Sequence, residues 1–196
     1  MTGDNPRPVF YYDLGSPYSY LAAERVNHVL GVVPVWQPIL LGGVFRATGR
    51  GSWSHTDERE SGMAEVERRA AARGLPALCW PDPWPSDMLA AMRAATFAQQ
   101  SGRAVAFSLA AFRQAFAGGR DLAEVDNVLI AAAACELHPR AVLKGIESRS
   151  VKDRLRGATD EAVALGVTGV PTVAVGGELF WGDDRLEEAA VVCAAP

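Results

Sequence analysis

Strand-type sequence occurs only near the two ends of this chain, and most of the stretch between them has a helical pattern. Near the start, residues 8–12 and 32–40 are short, apolar and bounded by turn residues, as strands are. Near the end, VPTVAV (170–175) and GGELFWG (176–182) have the same character and meet at a Gly-Gly turn. Residues 86–165 are alanine-rich and amphipathic, with glycine and proline where helices should end. We therefore expect the two ends of the chain to form one sheet.

This arrangement predicts one α/β domain interrupted by a helical insertion. We place the α/β domain at residues 1–45 plus 166–196 and the all-helical insertion at 46–165. A helix is expected over residues 17–30, so the chain should begin with a β-α-β unit. Residues 42–62 are rich in glycine, serine and charge, which predicts a loop.

The composition is that of an ordinary globular protein with a small acidic excess. Of 196 residues, 49% are hydrophobic and 21% charged, and the net charge of −4 argues against a nucleic-acid partner. No apolar stretch approaches the roughly 18 to 20 residues that span a bilayer. The start, MTGDNPRPVFYYD, lacks the pattern of a signal peptide, so we expect a cytoplasmic protein without membrane association. The three cysteines and three histidines lack the spacing of a disulfide framework or a metal site, and neither is predicted.

The segment YDLGSPYSYL (12–21) places a serine where the first strand gives way to the first helix. Proline is tolerated in the first turn of a helix, so Pro17 should start the helix and Ser16 should stand directly before it. Serine at that position commonly caps a helix, because its oxygen accepts a hydrogen bond from a free backbone N–H. The pattern alone does not decide between a cap and a functional hydroxyl.

Two positions in the last third of the chain can bind a ligand as well as support the fold. Proline can open a strand, and an ordinary trans bond is one reading of Val170–Pro171. We predict a cis bond, which would leave the N–H and C=O of Val170 unpaired and able to pair with an extended ligand. Asp183 and Asp184 stand at the start of the last predicted helix, where carboxylates can cap the helix or hold a cationic amine.

Together these segments resemble the thioredoxin-like fold, in the DsbA and kappa-class glutathione transferase branch that carries a large helical insertion. More specifically, they resemble the 2-hydroxychromene-2-carboxylate isomerases of aromatic compound catabolism, in order over nearly the whole chain. The resemblance is carried by YDLGSPYSYLAAERV (12–26), LLGGVFRATG (40–49), PSDMLAAMR (85–93), GVTGVPTVAV (166–175) and ELFWGDDRL (178–186). The first and the last two segments are the most specific.

The resemblance implies a glutathione-dependent cis–trans isomerase, in which the thiol of bound glutathione adds reversibly to an unsaturated aromatic keto acid. Ser16 is similar to the serine that donates a hydrogen bond to the glutathione sulfur, which favours the thiolate. The backbone of Val170, beside Pro171, is similar to the partner of the cysteinyl amide. Asp184, beside Asp183, is similar to the group that binds the γ-glutamyl α-ammonium. A small-molecule substrate and a homodimer are implied as well.

Aromatic side chains near the predicted site are candidates for a substrate pocket. Tyr18 follows the first strand-to-helix turn and can reach the pocket. Trp53, Trp80 and Trp84 lie in predicted loops, where large aromatic side chains need a reason. They either line an aromatic substrate pocket or pack the insertion onto the core. His55, in the polar loop, can also approach the site.

Three positions depart from what the resemblance leads us to expect. Arg50 and Asp87 stand where related isomerases tend to have asparagine, and Asp183 stands where they have a neutral polar residue. Arg50, assigned to the cofactor side, can bind a carboxylate through two hydrogen bonds. Asp87, assigned to the substrate side, would repel an anion unless paired, so we expect an Arg50–Asp87 contact. These departures leave open a related low-molecular-weight thiol in place of glutathione.

Two alternative functions are also open. One is a kappa-like transferase that uses the same thiol site on an electrophile. The other is a non-catalytic thioredoxin-like binding module in which Ser16 is only a cap.

Overall fold

The strands from the two ends of the chain form one sheet in the computed structural model, which describes residues 7–194. The strands are β1 (Val9–Tyr12), β2 (Val35–Pro38), β3 (Thr172–Val175) and β4 (Glu178–Trp181). Their order is β2-β1-β3-β4, with β1 parallel to β2 and antiparallel to β3, and β3 antiparallel to β4. The predicted α/β class and the joining of the two ends are confirmed. Residues 1–6 and 195–196 of the predicted domain lie outside the described residues.

Helices cover this sheet. Within residues 7–194 they are α1 (Pro17–Ala23), α2 (Val26–Val29), α3 (Leu41–Thr48), α4 (Arg59–Ala72), α5 (Leu89–Gln100), α6 (Ala104–Phe116), α7 (Val125–Ala134), α8 (Pro139–Glu147), α9 (Arg149–Ala164) and α10 (Leu186–Cys193), with a short 3₁₀ helix at Trp53–His55. The single helix predicted over 17–30 is interrupted at Arg25, whose φ of −122° departs from helical geometry. In this part of the chain, no helix combines the length and the apolar character needed to cross a membrane.

Alternating side chains of β1 contribute to a hydrophobic core on each face of the sheet. Phe10 and Tyr12 are fully buried on one face, where the ring of Tyr12 packs against Trp36 and Phe112. Tyr11 belongs to a second core on the other face. Because both faces are covered, the short central strand is held firmly and fixes the position of the turn that follows it.

The segment after β2 differs from the prediction. Residues 41–48 form α3, so the loop predicted over 42–62 is wrong for this part. Two glycines in the first turn weaken the helical pattern in the sequence. The helix is stabilised by packing instead, since Val44 is fully buried in the same core as Ala162 of α9. Gly49 ends the helix in the left-handed conformation with φ 69°.

The helices between β2 and β3 lie on both sides of the sheet. Side chains of α5, α6, α7 and α8 share the core that contains Tyr12. On the opposite side, Thr159 of α9 accepts a hydrogen bond from the Leu40 N–H at 3.0 Å, directly after β2. Residues assigned to the helical insertion therefore cover both faces of the sheet, and the insertion bounds of 46–165 stay a prediction.

Candidate active site

The turn between β1 and α1 fixes the position of Ser16. Ser16 is the N-cap of α1, and its Oγ accepts a hydrogen bond from the Ser19 N–H at 3.2 Å. Its own N–H donates to the Asp13 carbonyl at 3.1 Å. A serine hydroxyl has one O–H donor beside its acceptor lone pairs, so the capping bond leaves that donor available. Ser16 is only 5% exposed, so an acceptor for this donor can approach the hydroxyl from few directions.

Asp13, which was not among the predicted site residues, joins the turn after β1 to the turn after β2. Its Oδ1 accepts from the Gly15 N–H and its Oδ2 from the Leu41 N–H, both at 2.8 Å. Burial raises the pKa of the Asp13 carboxyl, and the N–H groups of Leu41 and Gly15 act in the opposite direction. The one sequence signal was an aspartate two residues before a glycine, a pattern typical of a turn closed by the aspartate side chain.

A cavity of about 1160 Å³ opens beside this turn. Every residue that the sequence analysis assigned to the site lines it: Ser16, Tyr18, Arg50, Trp84, Asp87, Val170, Pro171, Asp183 and Asp184. The cavity lies beyond the ends of the parallel strands β1 and β2, where α/β folds commonly bind ligands. Segments far apart in sequence therefore meet around one space, although the role of each residue stays a prediction.

The backbone before β3 forms one edge of the cavity. The Val170–Pro171 bond is cis, as predicted. No hydrogen bond within residues 7–194 uses the N–H or the C=O of Val170. The Pro171 carbonyl accepts from the Gly182 N–H at 2.9 Å, and the Thr172 hydroxyl donates to the Gly169 carbonyl at 2.8 Å. The backbone on either side of Val170 is thus tied down, while its own polar groups stay free.

The two neighbouring aspartates after β4 have different surroundings. Asp183 is 1% exposed and pairs with Arg69 at 2.8 Å and with Arg73. Asp184 is 58% exposed in its side chain and lies 3.4 Å from Arg69. The predicted capping role is wrong for both, because α10 has Arg185 as its N-cap and no side-chain cap. Arg69 of α4 and Arg73 at its C-terminal end occupy the Asp183 carboxylate, which leaves Asp184 as the more accessible of the two.

Arg69 is a second residue at the cavity that was not predicted from the sequence. It lines the cavity, its guanidinium carbon lies 5.5 Å from the Tyr18 ring centroid, and its Nε donates to Glu65 at 2.7 Å. Burial acts to lower the pKa of Arg69, but Glu65 and the two aspartates outweigh it and raise that pKa. The hydrogen bonds from Arg68 and Arg69 lower the pKa of Glu65 to about 2. Arg69 and Glu65 therefore stay charged across the pH range in which most enzymes work.

The tryptophans of the middle segment divide between the two predicted roles. Trp53 and Trp84 line the cavity with their ring centroids 5.3 Å apart, and Trp84 Nε1–H donates to the Gly15 carbonyl at 3.3 Å. Trp80 packs behind Trp84 at 4.6 Å and against Phe116 at 5.9 Å. The first two form an aromatic wall, and the third supports it from the core side.

Arg50 and Asp87 line the same cavity, but the expected contact between them is wrong. Within residues 7–194 no ion pair joins them. The guanidinium of Arg50 lies 4.4 Å from the centroid of the Trp181 ring, as in a cation–π contact. Asp87 Oδ1 instead accepts from the Leu89 N–H at 2.8 Å, at the start of α5. The Arg50 guanidinium and the Asp87 carboxylate are thus each held by a different partner and not by one another.

Comparison with known proteins shows which family this sequence belongs to. The model of the DSBA-like thioredoxin domain matches residues 9–191. A 2-hydroxychromene-2-carboxylate isomerase from Sphingobium xenophagum is 30% identical over 185 residues, which cover 91% of this chain and 93% of that protein. The chain belongs to this isomerase family.

Solved structures agree on the fold of this family member. A 2-hydroxychromene-2-carboxylate isomerase matches with a TM-score of 0.85 at 23% identity, over 94% of this chain and 92% of that one. A probable DsbA oxidoreductase from Streptomyces coelicolor matches with a TM-score of 0.74 at 19% identity, over 97% and 92%. The isomerase-family chain thus shares its architecture with redox proteins. With serine at position 16, that side chain cannot exchange disulfides.

Proposed function

We propose that this member of the isomerase family is a glutathione-dependent cis–trans isomerase of the 2-hydroxychromene-2-carboxylate type. The observation that carries the proposal is the free donor of Ser16. Its oxygen already accepts from the Ser19 N–H, so the hydroxyl hydrogen is left to donate at the cavity. The Sphingobium xenophagum relative, which is an isomerase by name, supports the assignment of reaction class.

The residues around the cavity fit glutathione. The unpaired N–H and C=O of Val170 suit the cysteinyl amide, since an extended peptide binds through main-chain hydrogen bonds. Asp184 offers an accessible carboxylate for an ammonium group. When bound, glutathione supplies a thiol that adds reversibly to the double bond of an unsaturated aromatic keto acid and so permits rotation.

The protein side chains have two tasks in this proposal. Ser16 donates a hydrogen bond to the sulfur, and a hydrogen bond to the charged form lowers the pKa of a thiol. Trp53 and Trp84 pack against the aromatic ring of the substrate and exclude water from it. Arg50, which was assigned to the cofactor side from the sequence, lies over Trp181 and places a positive charge at the cavity; in this proposal that charge binds the substrate carboxylate.

The test is to titrate the purified protein with glutathione and follow thiolate absorbance, then add an unsaturated aromatic keto acid. Isomerisation with the thiol concentration unchanged is the expected result. Loss of thiol with formation of a conjugate would instead identify a kappa-like transferase, which would use the same Ser16 donor. No thiolate signal and no turnover with any low-molecular-weight thiol would identify a binding module. The homodimer and the cytoplasmic location stay predictions, which size-exclusion chromatography and cell fractionation can check.

A further inference from the structure

Gly62 is the fourth residue of α4, and nothing in the helix backbone requires a glycine there. Its N–H donates to the Glu58 carbonyl at 2.8 Å, as in a regular helix, and it is not one of the glycines with a positive φ. Glycine weakens a helix relative to alanine, because it loses more conformational freedom on folding. The reason for a glycine at this position therefore lies outside the helix.

The indole ring of Trp53 lies directly against this glycine. A Cβ atom at position 62 would lie 2.4 Å from Cε3, 2.6 Å from Cζ3 and 2.9 Å from Cδ2 of Trp53. Carbon atoms in ordinary contact are about 3.5 to 4.0 Å apart, so a methyl group there would displace the ring by about 1 Å. The glycine thus lets the ring pack against the backbone of α4.

The position of the Trp53 ring sets the width of the cavity. Trp53 lines the cavity together with Trp84, whose ring centroid is 5.3 Å from its own. The ring of Tyr18 packs against Trp53 from another side, with the centroids 6.2 Å apart. Because α4, Trp84 and Tyr18 each hold one side of the ring, the open direction is the cavity. A Trp53 ring that is pushed away from α4 therefore narrows the space for the aromatic part of a substrate.

We propose that Gly62 is a positioning residue that determines substrate specificity: it seats Trp53 against α4 and so keeps the cavity wide enough for a substrate with two fused aromatic rings. This inference rests on the proposed function, because it concerns the aromatic keto acid that the same site isomerises. Gly62 does not itself line the cavity and acts through Trp53. The cavity volume of about 1160 Å³ exceeds the roughly 300 to 1,000 Å³ of most small-molecule sites, which leaves room for two rings beside the thiol.

The test compares two substrates in the presence of glutathione: the cis isomer of benzylidenepyruvate, with one ring, and that of its naphthyl analogue, with two fused rings. The proteins are the wild type, Gly62→Ala and the control Gly145→Ala. Gly145 of α8 meets an aromatic ring in the same way, since a Cβ atom there would lie 2.5 Å from Cδ2 of Phe97. Neither Gly145 nor Phe97 lines the cavity, so the control adds the same methyl group away from the site.

Gly62→Ala should lose roughly 10- to 100-fold in kcat/KM for the two-ring substrate relative to the one-ring substrate, the range in which an apolar pocket senses a small change of fit. Its near-ultraviolet circular dichroism should also change, because Trp53 moves relative to Trp84. Gly145→Ala should melt at a lower temperature than wild type, because its core is overpacked, and keep the wild-type ratio of the two kcat/KM values. In a Trp53→Val background, which removes the ring, adding Gly62→Ala should leave the ratio unchanged.

A wild-type ratio in Gly62→Ala, or an equal loss for both substrates, would overturn the inference. A change of ratio that persists in the Trp53→Val background would also overturn it, because the effect would not pass through Trp53. A wild type that converts the two-ring substrate more than about 100-fold less efficiently than the one-ring substrate overturns it without any variant, even if Gly62→Ala does not fold. Each of these results leaves the proposed function standing if wild type isomerises the one-ring substrate with glutathione. A wild type that isomerises neither substrate overturns both.

Discussion

The two walls of the cavity are built in different ways. The inner wall, formed by Ser16, Val170 and Pro171, is buried and held by backbone geometry at the ends of β1 and β3. The outer wall, formed by Arg50, Trp181, Arg69 and Asp184, consists of partly exposed side chains that hold one another by ion pairs and a cation–π contact.

This difference predicts a division of labour. A group fixed by the backbone in a buried place can stabilise developing charge without reorganising, which is what a chemical step requires. A side chain near solvent is screened and mobile, and contributes mainly to binding and to the choice of ligand. We therefore expect substitutions in the inner wall to lower kcat, and those in the outer wall to raise KM or Kd.

The largest effect is expected for Ser16→Ala. Loss of one positioned donor should lower kcat about 100-fold, about 3 kcal/mol in activation free energy. Loss of the cap should lower the free energy of unfolding by only about 1 kcal/mol. Steady-state isomerisation, the pKa of bound glutathione and thermal melting would measure the three consequences. The bound thiol should titrate closer to its value in free solution.

Ser148→Ala is the matched control for this variant. Ser148 caps α9 in the same way, accepting from the Val151 N–H at 3.3 Å, and it does not line the cavity. The Ser148→Ala variant should melt at a lower temperature than wild type and keep the same kcat. If Ser16→Ala behaves like this control, with full activity and an unchanged thiol pKa, Ser16 is a cap only and the division between the walls fails.

The inner wall is also the part of the site that sequence could predict. A serine followed by proline marks a helix start, and a proline at a strand entry marks an unusual backbone, so Ser16 and Pro171 are recognisable from their immediate neighbours. The sheet was predictable for the same reason, because each strand is short, apolar and bounded by turns.

The outer wall depends on contacts between distant segments, which local patterns do not contain. Arg69 meets Asp183 across 114 residues, and nothing near either residue indicates the other. Asp13 reaches Leu41 across 28 residues and helps to begin α3, the helix that was predicted as a loop. Arg50 and Asp87 were expected to meet because their charges are opposite. Their partners are instead the neighbouring ring of Trp181 and the N–H of Leu89.

An intermediate effect is expected for Asp13→Asn, which alters the support of the inner wall. One of the two N–H groups, that of Gly15 or that of Leu41, would face an amide NH₂ in place of a carboxylate oxygen. We expect a loss of about 2 kcal/mol in the free energy of unfolding. Asp121→Asn is the control, since Asp121 Oδ1 also accepts from a backbone N–H, that of Ala123, besides the hydroxyl of Ser86, and Asp121 itself does not line the cavity.

The pH dependence of this loss tests the environment of Asp13. Its pKa is raised above 3.8 by burial, so the folded state holds the proton more tightly than the unfolded state. That contribution to stability is present below the unfolded pKa and is lost as the pH rises through the folded pKa. The stability gap between wild type and Asp13→Asn should therefore narrow from pH 4 towards pH 7 in denaturant titrations. If the gap instead widens as the pH rises, the two N–H donors lower the pKa of Asp13 by more than burial raises it.

The smallest effect is expected for Arg50→Gln in the outer wall. The Arg50 guanidinium lies over Trp181 near solvent, where a cation–π contact or an exposed charge contributes about 0.5 to 1 kcal/mol. We expect KM for an anionic substrate to rise several-fold with kcat unchanged, the pattern of lost uniform binding. The rise should shrink as salt is added, because an exposed charge is screened.

Arg50→Lys keeps the charge but not the planar stacking, so a normal KM in this variant would assign the effect to charge alone. A fall in kcat at constant KM would show that Arg50 acts in the chemical step, as proposed for Ser16, and would contradict the division of labour between the two walls.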